Sequence, residues 1–302
     1  MKLHCLARRI AISGVVAMSI CGVSAHADTL FAADNVSASL NGVVMFNPVT
    51  LGVTGTFITS GPISGLATNS ESHVFASIGS GVFDFDTSGN ILKSYNPFPN
   101  DHFDDLSIKG GSLFAADNTS IGLNGVVIFN AATLGVTNTF LTSGVISGLA
   151  AGNANDAYVS IGNGVFHYDT AGTVLGSYNP FPNDHFDDLF LRGNSLYAVD
   201  NTLIGLSGVV EFDATTLAVL NTFLTSGPVS GLTGDSTNLF GSIGSGVFNV
   251  DNNGTVLNAY NPFPNDRFAD LAYAQAVPEP ATYAMTMVGL LAVCAAARRR
   301  RT

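Results

Sequence analysis

A run of acidic, amide and imidazole side chains, Asn-Asp-His/Arg-Phe-Asp/Ala-Asp, occurs three times in the 302-residue chain. The copies span 100–105, 183–188 and 265–270, and each directly follows Asn-Pro-Phe-Pro. Carboxylate and imidazole groups are common protein ligands for divalent cations, and oxygen-rich sets favour calcium. The motif therefore predicts a ligand or metal site, and its candidate residues are Asp101, His102, Asp104, Asp105, Asp184, His185, Asp187, Asp188, Asp266 and Asp270.

The same motif also has a purely structural interpretation. Asp and Asn side chains stabilise turns by accepting hydrogen bonds from nearby backbone N–H groups, while Phe103 and Leu106 would pack between neighbouring elements. The third copy carries Arg267 and Ala269 where the others carry His and Asp, so a symmetric site of six ligands is not available. We favour the structural interpretation and keep a cation or ligand site as the alternative. No cofactor is otherwise required.

Other catalytic chemistry has little support in the sequence. All three cysteines lie in terminal segments that we expect to be removed, which excludes thiol chemistry in the exported body. No Gly-x-Ser-x-Gly elbow is present, and Glu occurs only at Glu71, Glu211 and Glu279. The segment Asp84–Gly89 resembles a calcium loop, but Tyr95 stands where an EF-hand needs its acid. These features favour a binding or structural protein over an enzyme.

Isolated histidines and the aromatic residues have ordinary structural roles in this interpretation. His73 and His167 have no partners in the repeat, which favours surface or locally hydrogen-bonded positions. The aromatic residues around the motif, Tyr95 and Phe98 among them, suit packing better than a sugar-binding rim, and the chain contains no Trp.

The body of the chain repeats itself with a period of 83 residues. Phe31–Asn35 returns as Phe114–Asn118 and as Tyr197–Asn201. Each repeat divides again, because Gly125–Asn130 is echoed 39 residues later by Gly164–Asp169. The repeats span about 28–110, 111–193 and 194–276, and each consists of two units of about 40 residues.

Each 40-residue unit predicts four short strands, which is the size of a propeller blade. In the second half of the middle repeat the predicted strands are Gly148–Ala151, Ala157–Ile161, Gly164–Tyr168 and Val174–Tyr178. Six such blades over 28–276 predict an all-β, six-bladed propeller. Phe268–Tyr273, at the end, would supply the innermost strand that blade one lacks and so close the ring. The pattern resembles NHL-type and gluconolactonase-like propellers.

The two ends of the chain are typical of targeting segments. Residues 1–27 combine basic residues, an apolar core and the cleavage sequence Ala25-His26-Ala27, which predicts a helical signal peptide. Residues 277–302 contain Val277, Pro278, Glu279 and Pro280, then an apolar helix over 281–297 and the basic cluster Arg298, Arg299, Arg300 and Arg301. This tail resembles the PEP-CTERM sorting signal of exopolysaccharide-producing Gram-negative bacteria. The resemblance implies transient anchoring in the inner membrane by a transmembrane helix, processing by an exosortase-type enzyme, and delivery to the cell surface or extracellular matrix.

The exported segment is strongly acidic. Between 28 and 280 lie all 22 acidic residues but only four basic ones, a formal charge of 4 − 22 = −18. Such a charge repels nucleic acid. We therefore expect a surface or matrix binding or structural propeller, with exopolysaccharide or a surface protein as its partner. The alternative is a metal-assisted hydrolase or lactonase whose cation lies in the propeller channel.

Overall fold

Short segments rich in Val, Ile, Phe and Ala alternate with turns throughout the body of the chain, and the turns determine where each strand ends. Gly79, for example, has φ +60° in the turn after a strand, a conformation that costs glycine little. The computed structural model describes residues 28–35, 41–70, 72–96, 101–119, 124–179, 185–201, 207–261 and 267–276.

The described residues form 24 strands. In chain order they are β1 Thr29–Asn35, β2 Asn41–Phe46, β3 Val53–Ile58, β4 Ile63–Ser70, β5 His73–Ile78, β6 Gly81–Phe85, β7 Ile91–Tyr95, β8 Phe103–Lys109, β9 Ser112–Asn118, β10 Asn124–Asn130, β11 Gly135–Leu141, β12 Ile146–Asn153, β13 Asp156–Ile161, β14 Gly164–Asp169, β15 Val174–Tyr178, β16 Phe186–Arg192, β17 Ser195–Asn201, β18 Ser207–Asp213, β19 Val219–Leu224, β20 Gly231–Gly234, β21 Leu239–Ile243, β22 Gly246–Val250, β23 Val256–Tyr260 and β24 Phe268–Ala274.

These strands form six four-stranded antiparallel sheets, which confirms the predicted six-bladed, all-β propeller. Blade 1 has the order β24-β1-β2-β3, and the other blades follow chain order from β4 to β23. Leu30 of β1 pairs with Tyr273 of β24, so the last strand completes the first blade as predicted. Strand β12 is longer than predicted, because its pairing with β13 continues to Asn153.

The hydrophobic core is divided into six clusters, and each cluster lies between two adjacent blades. The cluster between blades 2 and 3, for example, contains Phe75 from one blade and Phe103 and Phe129 from the other. Consecutive innermost strands contact one another around the whole ring, from β4 to β24 and back to β4. Closure thus gives every blade a buried surface on both sides and leaves a channel bounded by the innermost strands.

The predicted signal peptide at 1–27 and the sorting tail at 277–302, including its apolar helix, lie outside the described residues. Within the described ranges, no helix is long and apolar enough to cross a membrane. The described residues form one compact unit.

Candidate functional site

Three buried carboxylates meet in the channel. Asp105 of β8, Asp188 of β16 and Asp270 of β24 occupy equivalent positions in alternate blades, and one oxygen of each lies within 4.8 Å of the others. Their side chains are 7%, 7% and 6% exposed. The ring therefore brings together one aspartate from each predicted motif, although these residues are 83 and 82 positions apart in the chain.

Each of these carboxylates links two blades. Asp105 accepts hydrogen bonds from the backbone N–H of Leu106, at 2.6 Å, and of Leu149 in the next blade, at 2.6 Å. The other two repeat this pattern: Asp188 accepts from Leu189 and Leu232, and Asp270 accepts from Leu271 and Leu66. One oxygen of each carboxylate therefore bonds within its own strand, and the other bonds to the innermost strand of the next blade, which agrees with the structural interpretation of the motif.

Burial makes these carboxylates hard to ionise. Loss of solvent contact raises the pKa of Asp270 to about 7 and raises the pKa values of Asp105 and Asp188 well above the ordinary range. The charges of neighbouring carboxylates add to the effect at Asp105 and Asp188, and the backbone N–H groups oppose it. At neutral pH the negative charge of the cluster is reduced either by bound protons or by a cation. Because the three carboxylates interact, they titrate as one coupled group.

The cluster has the donor chemistry of a hard-cation site. Oxygens that lie no more than 4.8 Å apart are all within about 2.8 Å (4.8/√3) of a common centre, close to a calcium–oxygen distance. Each oxygen already accepts a backbone N–H, which leaves a second lone pair for a cation. A cavity of about 230 Å³ adjoins the cluster, and Ser107, Lys109, Thr233 and Tyr273 are among the residues that line it.

The neighbouring aspartates of the motif do not enter the cluster. Asp104 contacts His102 Nε2 at 2.8 Å and accepts a hydrogen bond from Asn118 Nδ2 at 2.6 Å. Asp187 makes the same two contacts, with His185 at 2.9 Å and Asn201 at 2.7 Å. Both histidines are about half exposed. The motif thus divides into a buried aspartate in the channel and an exposed His–Asp pair at the loop.

The third copy departs from this arrangement. Ala269 replaces the outer aspartate, and a recess of about 310 Å³ is lined there by Asn35, Ile63, Ser64, Ser230, Arg267 and Ala269. The guanidinium-bearing Arg267 replaces a histidine, so this third of the face carries a permanent positive charge. The loss of His and Asp does not affect the inner cluster, because Asp270 is retained.

Asp101 is the one remaining acidic member of the motif within the described residues. Asp101 is partly exposed, and burial raises its pKa. Burial, with the charge of Asp101, also raises the pKa of Asp117 to about 6. Asp184 and Asp266 lie outside the described residues. The described site residues therefore form a buried inner cluster and a separate, partly exposed outer set.

Sequence reasoning missed the role of three asparagines. Asn118 Nδ2 donates to the carbonyl of Ile146 in the next blade at 2.7 Å, and the backbone N–H of Ile146 donates to Asn118 Oδ1 at 2.9 Å. Asn35 makes the equivalent pair of bonds with Ile63, and Asn201 makes it with Val229. The Asp-Asn pair that ends each copy of Phe31–Asn35 recurs in all three repeats. This recurrence is the sequence feature that could have predicted the links between blades.

The two isolated histidines are local partners of aspartates. His73 Nδ1 contacts Asp84 at 2.9 Å across β5 and β6. In blade 4 the same two positions hold Asp156 and His167, and His167 Nε2 lies 3.5 Å from an oxygen of Asp156. The histidine and the aspartate have thus changed places between the two strands. His73 corresponds to Asp156 in the repeat, and His167 corresponds to Asp84. This finding agrees with a locally bonded role and corrects the statement that the histidines lack repeat partners.

The described aromatic residues of the motif pack against the blades. Tyr95 lies 4.8 Å from Phe129 in a T-shaped contact, and Tyr178 makes the equivalent contact with Phe212. Phe103 is fully buried. These contacts agree with the packing role expected from the sequence, while Phe98 lies outside the described residues.

Comparison with known proteins identifies the sorting tail and the fold. The family model described as the PEP-CTERM protein-sorting motif matches residues 276–301. No curated protein matches the sequence. A protein of unknown function from Bacteroides caccae is similar in structure, with a TM-score of 0.65 and 11% identity over 83% of this chain and 100% of the other. A chain of a nidogen/laminin complex has a TM-score of 0.64 and 14% identity over 83% of this chain and 99% of its own.

A third similar structure is a chain of the mitotic checkpoint complex, with a TM-score of 0.55 and 15% identity over 81% of this chain and 77% of its own. At these identities the likeness concerns the fold alone. The protein is a six-bladed β-propeller that carries a PEP-CTERM sorting motif. The motif implies export, transient membrane anchoring and processing by an exosortase.

Proposed function

We propose that the mature protein is a binding or structural module of the cell surface or extracellular matrix, and that its partner is a hydroxyl-rich polymer such as exopolysaccharide. The observation that carries this proposal is the recurrence of one exposed His–Asp pair, His102–Asp104 and His185–Asp187, at equivalent loops of the ring. A polymer presents the same chemical groups repeatedly, so equivalent loops can bind it at several points and gain avidity.

The chemistry of the loops supports this choice of partner. Carboxylates accept hydrogen bonds from sugar hydroxyls, and an imidazole can donate a hydrogen bond to a hydroxyl or accept one from it. The recess beside Arg267 adds a guanidinium group, which suits a carboxylate or phosphate substituent on the polymer. The high negative charge of the exported segment favours neutral or cation-bridged polymers elsewhere on the surface.

The proposal is tested by co-sedimentation of residues 28–276 with the exopolysaccharide of the producing organism at physiological salt. We expect saturable binding that is lost when His102, Asp104, His185 and Asp187 are all replaced by Ala. A control variant, Asp86→Asn with Asp169→Asn, also removes two carboxylates but keeps a hydrogen-bond acceptor at each exposed turn. Equal binding by both variants would show that the His–Asp loops do not bind the polymer. No binding by the unchanged protein would favour a surface protein as the partner.

A metal-assisted hydrolase or lactonase is the second candidate, and the carboxylate cluster beside the 230 Å³ cavity is the observation that favours it. In this case a cation held by Asp105, Asp188 and Asp270 would polarise a carbonyl or activate water. The test is turnover of lactone and ester substrates with and without added calcium. Activity that is abolished by Asp105→Asn, in a protein that remains folded, would favour the enzyme.

A further inference from the structure

The third repeat contains an apolar pocket at its outer packing layer. The pocket has a volume of about 410 Å³ and lies between β19 of blade 5 and strands β22 and β23 of blade 6. Its apolar lining includes Phe223, Val247, Phe248, Val250 and Val256. Ser226 and Asn261, both exposed, add polar groups to the lining. A mostly apolar cavity with a few polar groups is the usual form of a small-molecule site.

The other two repeats fill one part of this space with an aromatic ring. Phe57 lies 5.5 Å from Phe85, and Phe140 lies 5.5 Å from Tyr168, measured between ring centroids. The third repeat has Phe223 at the first position but Val250 at the second. Phe57 and Phe140 are both 6% exposed, whereas Phe223 is only partly buried. One ring of this aromatic pair is therefore missing from blade 6.

A second ring has turned away from the same space. In blade 2 the ring of Phe83 lies over Gly81, 2.7 Å from the position that a Cβ would take there, and blade 4 repeats this arrangement. In blade 6 the ring of Phe248 lies instead over Gly241, 2.2 Å from the corresponding Cβ position. Residue 241 is Gly only in this repeat, since Ala76 and Val159 stand at the equivalent positions. Because Gly241 has no side chain, Phe248 can occupy a place that is closed in the other blades.

We propose that this pocket binds a small aromatic molecule of one or two rings that carries a hydroxyl or similar polar group. The vacated space corresponds to two ring positions, and protein interiors fill such space closely where no ligand enters. Phe223 and Phe248 offer aromatic surfaces for stacked or edge contacts. Ser226 and Asn261 provide hydrogen-bonding groups for the polar substituent. The ligand would thus replace the rings that the first two repeats supply from their own sequence.

The experiment uses 2-naphthol as the probe and residues 28–276 as the protein, with binding measured by fluorescence titration and calorimetry. We expect one site per chain. Val250→Phe restores the ring found at Phe85 and should weaken binding roughly tenfold or more. Val174→Phe makes the same exchange at an exposed position of blade 4 and should leave binding unchanged. Binding that is equal in the two variants, or no binding by the unchanged protein, would overturn the proposal.

A gain of binding provides an independent test. Val159→Gly together with Tyr168→Val gives blade 4 the residues that open the pocket in blade 6. We expect the number of 2-naphthol sites to rise from one to two in this variant. Unchanged stoichiometry in a protein with intact near-UV circular dichroism would show that these positions do not create the site.

Discussion

The carboxylate of Asp105 in blade 3 accepts a hydrogen bond from the backbone N–H of Leu149 in blade 4, at 2.6 Å. The two residues are 44 positions apart, and equivalent bonds join blade 5 to blade 6 and blade 1 to blade 2. Three of the six pairs of adjacent innermost strands are thus joined by carboxylates, and these carboxylates lie next to each other in the channel. Stability of the ring and ionisation of the cluster are therefore coupled.

Removal of one carboxylate should destabilise the ring. Asp188→Ala leaves the N–H groups of Leu189 and Leu232 without their acceptor, at a cost of about 1–3 kcal/mol for each buried group, partly offset by reduced repulsion in the cluster. We expect a net loss of about 2 kcal/mol in the free energy of unfolding, measured by urea denaturation. Asp104→Ala is the matched control, with an expected change below about 0.5 kcal/mol, because Ala269 occupies that position in the third repeat. Equal losses would contradict the difference between inner and outer aspartates.

The stability of the metal-free protein should fall as pH rises from about 4 to 7. The folded-state pKa of Asp270 is raised to about 7, so in this window the folded chain holds a proton that the unfolded chain has released. The free energy of unfolding then decreases with pH, by about 1–4 kcal/mol in total. The measurement is urea denaturation at several pH values in chelator, for the unchanged protein and for Asp270→Asn. A steeper fall of the free energy of unfolding with pH in Asp270→Asn than in the unchanged protein would contradict this prediction.

Calcium should reverse this loss above pH 7. Once the protons have left, a cation among the three carboxylates would offset their repulsion, and binding to the folded state alone stabilises it by about 2.7 kcal/mol at 100 times the dissociation constant. We expect calcium to raise the melting temperature of chelator-treated protein at pH 8 but not that of Asp105→Asn combined with Asp188→Asn. An equal rise in both proteins would place the calcium elsewhere, and no rise in either would leave protons as the neutralising charge.

The asparagine links between blades should contribute measurably to stability. Asn118→Ala removes two hydrogen bonds to Ile146 and leaves its partly buried N–H and C=O groups without that partner. The expected loss is about 1–3 kcal/mol in the free energy of unfolding. Asn155→Ala, at an exposed turn, is the control and should change stability by less than about 0.5 kcal/mol. The rate of amide hydrogen exchange at the start of β12 should also rise in Asn118→Ala but not in the control. An unchanged exchange rate in Asn118→Ala would contradict the proposed link.

The number of blades and the way the ring closes could be predicted from the amino-acid sequence alone. Both follow from the 83-residue period and from the innermost strand that is missing before Thr29 and present at Phe268, because the inner edge of blade 1 would otherwise have no partner. The sequence also placed the three acidic motifs in alternate blades. These features depend on hydrophobic pattern and repetition, which are properties of the chain that need no knowledge of distant contacts.

Contacts between distant parts of the chain determine which aspartate of each Asp-Asp pair faces the channel. The pairing of β8 with β9 shifts register between Phe103 and Asp105, so simple alternation along the strand does not give the direction of Asp104 and Asp105. Leu134 illustrates the same limit, since it has φ +53° at a position where local rules favour Gly, yet its side chain is 3% exposed. Burial between blades offsets the backbone strain there. In both cases the outcome depends on contacts with neighbouring strands and blades, which local sequence patterns do not specify.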